Sequence, residues 1–287
     1  MFNNNDSTVR STRTVSNFYT NSRESLSYDC SDSYSYKKNR VKIPKRIMQT
    51  WVDKNIPEKW KSSPESIKRH MPDWEYVLMT DSDNRKLIKK HFPDFLPYYD
   101  NFPHNIQRAD AARYCYLYVY GGIYMDLDFE VLKPLDHLFV NDNEIYLVNS
   151  GNIGSYLTNS FMASKPRCKI WLDCIEAMKK DLPFYCLGKH LEVMNSTGPI
   201  MLTYVVNEAK IVYGMLPVRL ILPCSVCNIK CRTKGAYLKQ LEGSSWIAYD
   251  TKFYIFVMCN YKQLLIAIAL ILLVILITLI LQWCGCV

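Results

Sequence analysis

Between residues 41 and 263, short apolar runs alternate with helix-spaced segments, and that alternation predicts an α/β domain. Residues 41–48 read as a strand that exits through Gln49-Thr50-Trp51. A short helix is expected at 64–70, a second strand at 74–79, and a helix at 84–91. Thr80-Asp81-Ser82-Asp83 forms the loop and cap before that helix. From 105 to 120, Ile106, Ala109, Ala112, Arg113, Tyr116, Leu117 and Tyr120 recur at helical spacing. Gly121-Gly122 then stops the helix. A strand is expected at once, over 123–129, followed by a loop at 131–135.

The two ends follow other patterns. Residues 1–40 are rich in Ser, Asn, Thr and Tyr, carry no apolar run and predict a disordered arm. Residues 264–281 are apolar except for Thr278. At about 1.5 Å per residue that run reaches roughly 27 Å, the thickness of a bilayer core, so a single transmembrane helix is expected there. A short tail, 282–287, follows it. Lys252 and Lys262 precede the span and no positive charge follows it. With no signal-peptide pattern at the start, the charge rule predicts a C-terminal tail anchor with the catalytic domain in the cytosol.

Composition narrows the function classes. Lys and Arg number 35 against 27 Asp and Glu, for a net charge of +8 over 287 residues. So mild an excess suits an anionic substrate or membrane surface, and no nucleic-acid partner is expected. In the cytosol the 11 cysteines would be mostly core residues, and Cys115, Cys168, Cys174 and Cys186, set among apolar neighbours, read that way. Cys224, Cys227 and Cys231 have zinc-like spacing but no fourth ligand nearby.

The candidate chemistry centres on Asp126 and Asp128. On an extended segment residues two apart face one side, so the two carboxylates can grip one hard divalent cation, Mn²⁺ or Mg²⁺. Asp110 and Arg113, at i and i+3, share a face of the preceding helix and are delivered toward the same place.

Arg108, Asp110 and Arg113, then Tyr114, Leu117 and Tyr118, then Gly121-Gly122-Ile123-Tyr124 and Asp126-x-Asp128 together resemble the signature of glycosyltransferase family 32, the group with a DXD sugar-binding region. The stretch 43–51, Asn159 with Ser164, Thr197-Gly198-Pro199 and Ser244-Ser245-Trp246 resemble further family segments in order. The resemblance covers about 41–250. It implies a GT-A fold: a Rossmann-like nucleotide half with the DXD at its edge. It implies a retaining hexosyl transfer from a GDP- or UDP-hexose to a lipid, glycan or protein acceptor. Thr50 and Trp51 would meet the nucleotide, with Trp51 stacking on the base. Asp110 and Arg113 would hold ribose or sugar. Asp126 would reach ribose, sugar or metal through water, Asp128 would bind the metal directly, and Trp246 would close over the donor.

The chain departs from the family at Met48, where the family usually has His, and at Gln240 and Leu241, which stand where one or two His usually assist the metal. Glu242, with Ser244, is the expected substitute ligand. A catalytically dead membrane scaffold and a metal-dependent phosphohydrolase are the competing readings.

Overall fold

In a computed structural model, the structure describes residues 42–139, 143–150, 156–222, 227, 231, 234–243 and 248–284. The expected arm at 1–40 lies outside them. In chain order the elements are β1 (Arg46–Trp51), α1 (Ser62–His70), β2 (Glu75–Thr80), α2 (Asp81–His91), α3 (Leu96–Asn101), α4 (Asn105–Tyr120), β3 (Gly122–Met125), β4 (Phe129–Val131), β5 (Ile145–Asn149), β6 (Leu157–Ser164), α5 (Lys169–Ala177), α6 (Lys189–Ser196), α7 (Pro199–Ala209), β7 (Gly214–Leu216), α8 (Val218–Ile221), β8 (Leu238–Gln240) and α9 (Tyr249–Trp283).

Six strands form one mixed sheet in the order β2-β1-β3-β6-β5-β7. β1 runs parallel to β2 over its full length, from Arg46 opposite Glu75 to Trp51 opposite Thr80. β3 lies parallel to β1 and antiparallel to β6. Both faces are covered. Met48, Tyr114, Tyr124, Met162, Trp171 and Leu202 belong to the core on one side. Ile47, Ile67, Ile123, Met125, Phe129, Phe161 and Leu238 belong to the core on the other. Strands buried on both faces have no polar side to show, which is why β3 is buried at every residue.

Local chemistry sets the boundaries near the cleft. The Thr80 hydroxyl accepts the Asp83 N–H at 3.2 Å, and the Asp83 carboxylate accepts the Thr80 N–H at 3.1 Å, a reciprocal cap that starts α2. α4 ends where Gly121 takes φ +64°, and Gly122 continues at φ +93°. A Cβ on Gly122 would sit 2.5 Å from the Arg46 carbonyl oxygen. The helix therefore turns into the central strand within two residues, and only glycine permits it.

Four expectations change. The strand expected over 123–129 ends at Met125, and Asp126 to Asp128 form a turn closed by the Phe129 N–H on the Asp126 carbonyl at 3.3 Å. The two carboxylates are thus brought together by a turn, not by strand alternation. Part of the expected loop after it becomes β4, because β8 returns to pair with it antiparallel. The apolar helix is longer than the run 264–281: α9 spans 35 residues and grows out of the domain, where Thr251 is buried. Finally, Cys227 is bonded to Cys259 on α9, and Cys168 and Cys231 are also disulfide-bonded. Cys168 is therefore not a reduced core thiol, and the zinc alternative loses Cys227 and Cys231. Cys115 and Cys174 are buried free thiols, as read from the sequence.

Replacing Gly122 with Ala should cost about 2 kcal/mol or more, since it combines a positive φ with backbone overlap. A thermal melt of the detergent-solubilised protein checks this, and an unchanged midpoint would refute the close-approach argument.

Candidate active site

A buried arginine organises the site. Arg113 projects from α4 and is 3% exposed. Its Nη2 meets Asp110 Oδ1 at 2.8 Å, one turn back on the same helix. Its Nη1 donates to the Asn159 carbonyl of β6 at 2.7 Å and lies 3.3 Å from Asp126 Oδ1. The guanidinium also stacks over the Tyr124 ring of β3, 4.4 Å from its centre. One side chain thus joins the helix, two central strands and the DXD turn.

Every partner is itself held. Asp110 accepts from Asn159 Nδ2 at 3.1 Å and from the Thr197 hydroxyl at 3.0 Å. The Tyr114 hydroxyl donates to the Thr197 carbonyl at 2.9 Å. The Tyr124 hydroxyl donates to Asp126 Oδ1 at 2.5 Å. Gln49, fully buried in β1, donates to the Asp126 carbonyl at 3.0 Å and to the Ser63 hydroxyl at 2.9 Å. A buried charge network of this kind depends on its members being satisfied, and among the described residues the Arg113 Nε–H is the one group of Arg113 left without a hydrogen-bond partner.

Above it opens a cleft of about 560 Å³. Trp51 and Trp60 form one wall, edge to face with ring centres 4.9 Å apart. Thr50, Arg113, Tyr124, Asp126, Asp128 and Gln240 line the floor and sides. The Trp60 indole N–H donates to the Glu242 carbonyl at 2.9 Å, and Gly243 lies against the Trp60 ring so closely that a Cβ there would be 2.4 Å from it.

β8 brings the closing segment to the DXD. Gln240 pairs with Phe129, the Leu241 N–H donates to the Asp128 carbonyl at 2.7 Å, and the Gln240 side chain hydrogen-bonds Asp128. The positions of the expected histidines therefore do face Asp128, but through Gln240. Glu242 is exposed, and it does not join the two aspartates: among the described residues no group of three or more His, Cys, Asp or Glu is placed to hold a metal ion. The Glu242 carboxylate is therefore not grouped with the two aspartates, and the side chain that β8 brings beside Asp128 is Gln240. Ser244 and Trp246 lie outside the described residues.

The electrostatics match a cation site. Burial, reinforced by the negative Asp126, pushes the Asp128 carboxyl up to about 7. Burial also raises Asp126, against the pull of Arg113. Burial raises Asp110 to about 6, again opposed by Arg113. Asp128 Oδ1 is buried with no hydrogen-bond partner among the described residues. A pair of carboxylates with one buried oxygen unsatisfied is a donor set that fits a hard divalent ion.

Comparison with known proteins follows this geometry. Residues 57–145 match the model of the glycosyltransferase sugar-binding region containing a DXD motif. Inositol phosphoceramide mannosyltransferase 1 of Schizosaccharomyces pombe is 33% identical over 240 residues, 83% of this chain and 72% of the relative. The chain belongs to this family. Mannosyl phosphorylinositol ceramide synthase SUR1 of Saccharomyces cerevisiae is 34% identical over 168 residues, 58% of this chain and 43% of that protein. The chain thus spans between about two fifths and three quarters of these two relatives. Among solved structures, the PaToxG glycosyltransferase is similar at 20% identity and TM-score 0.45, covering 58% of this chain and 69% of that one. As a glycosyltransferase of this family with a mixed α/β sheet and the DXD in the turn after its central strand β3, the chain has the GT-A organisation expected from its sequence.

Sequence reading did not single out Trp60, Gln49 alone, Tyr124 or Lys189, all of which touch or line the cleft or support its floor. For Gln49 a signal existed, a polar residue inside a buried strand. For Trp60 none did, because its contact to Glu242 spans 182 residues.

A carboxyl raised in the folded state stabilises the fold fully below its unfolded value and loses that contribution as pH climbs through the folded value. For Asp128 that window is about 4 to 7. Without divalent cation, Asp128→Asn should gain on wild type as pH rises from 5 to 7.5, melting about 4 °C higher at the upper end. A difference that stays constant across the window would refute the assignment.

Proposed function

We propose that this chain is a membrane-anchored, divalent-metal-dependent, retaining glycosyltransferase. It would move a hexose, mannose in the first instance, from a nucleoside diphosphate sugar to an inositol-phospholipid type of acceptor. The observation that carries this is the unsatisfied Asp128 oxygen at the base of a cleft walled by Trp51 and Trp60. The relatives' names supply the sugar and acceptor.

Residue roles follow from position. Trp51 presents a ring to the nucleotide base, braced edge-on by Trp60. Asp128 would hold Mn²⁺ or Mg²⁺, and Gln240, hydrogen-bonded to it, orients that carboxylate. Such an ion, when bound, stabilises the charge that grows on the departing diphosphate. Arg113 keeps a permanent positive charge beside Asp126, and Asp126 faces the cleft with its side chain about one-third exposed, free to meet ribose or sugar hydroxyls. Asp110 lies behind the floor with both oxygens engaged, so it positions Arg113 and does not touch the donor. Trp246, from the family resemblance, would close over the phosphates and exclude water. Retention rests on the family resemblance, and no carboxylate nucleophile is assigned.

The anchor reading is supported by α9, whose apolar window has a mean hydropathy of 3.6 and is 0% buried against the domain, unlike a core helix. For its orientation, two lysines before the span favour the cytosol, whereas the Cys227–Cys259 bond favours an oxidising compartment. We give the covalent bond more weight and infer that the domain faces a lumen or the cell exterior. Protease added outside sealed vesicles should spare it, and digestion would restore the cytosolic orientation.

A donor panel of GDP-mannose, UDP-glucose, UDP-galactose and UDP-N-acetylglucosamine, with and without Mn²⁺, tests the activity. One donor should be used, and only with the metal. Asp128→Ala should lose two to three decades of rate, about 3 to 4 kcal/mol of transition-state stabilisation. Near-wild-type turnover in purified Asp128→Ala would refute the site, and release of phosphate without sugar transfer would favour a hydrolase.

A further inference from the structure

The α6 side of the cleft carries a cation that the donor chemistry does not use. Lys189 opens α6 and lines the same cleft as Asp126 and Asp128. It is half-buried, and among the described residues its ammonium makes no ion pair or side-chain hydrogen bond. Of the other groups lining the cleft, His104 has its Nε2 3.4 Å from Glu192, Arg113 is committed to Asp110 and Asp126, and Asp81 lies on the α2 side. A half-buried, unmatched ammonium in a cleft is a place for an anion.

This end of the cleft is tied to the membrane helix. The Asp250 carboxylate of α9 accepts the His190 N–H at 2.7 Å, and the His190 and Tyr254 rings lie 5.0 Å apart. The segment just before Lys189 displays Phe184, Tyr185 and Leu187 at 93%, 58% and 79% exposure. On α9, Tyr249, Phe253 and Phe256 fall at i, i+4 and i+7, and all are exposed. Apolar surface therefore flanks the cation on the loop and rises along the helix from the span. A soluble phosphate would need none of it, but a lipid headgroup with attached chains would.

We propose that Lys189 marks the acceptor subsite and binds the phosphodiester of an anionic membrane lipid, with the 184–187 loop against its apolar part. This rests on reading the cleft as a glycosyl-transfer site and deepens it by naming a residue for the acceptor. The lipid headgroup would then enter from the α6–α9 side and the nucleotide along the Trp51–Trp60 wall.

The test uses the full chain in phosphatidylcholine nanodiscs and isothermal titration with glycerophosphoinositol. Wild type should bind it. Lys189→Gln should weaken binding about tenfold or more, and Lys189→Arg should stay within about threefold, which a purely structural role for the lysine would not require. Adding 10 mol% phosphatidylinositol to the disc should compete at least fivefold, while inorganic phosphate at the same concentration should not. Equal competition by inorganic phosphate, or equal affinity in Lys189→Gln, overturns the proposal. Binding of GDP or UDP with Mn²⁺ is measured on the same wild-type sample. Its absence would sink the glycosyltransferase reading, whereas its presence beside an unaffected Lys189→Gln would sink only the acceptor subsite.

Discussion

The guanidinium of Arg113 is the constraint on which the site depends. A charge 3% exposed must be neutralised where it sits, and among the described residues only Asp110 and Asp126 do so within 3.3 Å. Satisfying it fixes the distance between α4 and the turn after β3. It also fixes β6, because Asn159 both receives an Arg113 N–H and donates to Asp110. The Gly121-Gly122 junction makes this possible by letting the helix reverse into the central strand with no intervening loop. Position and charge of the DXD thus follow from packing below the cleft, not from the cleft's own surface.

That arrangement leaves an electrostatic imbalance at the surface. Asp126 is neutralised directly from below, but Asp128 gains less from its backbone, Gln240 and Arg113 than it loses to burial and the negative Asp126, which hold its carboxyl near 7. A site that disfavours its own negative charge favours a proton or a cation beside it. The β4–β8 pairing adds a mechanical link. The segment that carries Gln240 past Asp128 also lays Glu242 and Gly243 on Trp60, so the aromatic wall and the carboxylate are joined through one strand.

Much of this was legible in the sequence. Helical spacing with a Gly-Gly stop located α4, and the i, i+3 pair Asp110–Arg113 does form, with the DXD directly after it. What periodicity could not provide was the turn at Asp126, because a strand and a strand-turn-strand of seven residues carry the same apolar pattern. Nor could it supply contacts between distant positions. Gln240 reaches Asp128, and Trp60 reaches Glu242, only because a two-strand ladder closes across more than a hundred residues. The disulfide at Cys259 was hidden for the same reason, since its partner stands 32 positions away in a segment whose spacing imitated a zinc site.

The most direct measurement of the central claim is a double-mutant cycle on thermal stability with Asp110→Asn, Asp126→Asn and the pair, at pH 7.5 without divalent cation. If both carboxylates act through Arg113, the single losses will not add, and the coupling will be about 1 kcal/mol or more. Additivity within about 0.3 kcal/mol would mean that Arg113 does not join the helix to the DXD turn, and would contradict the account.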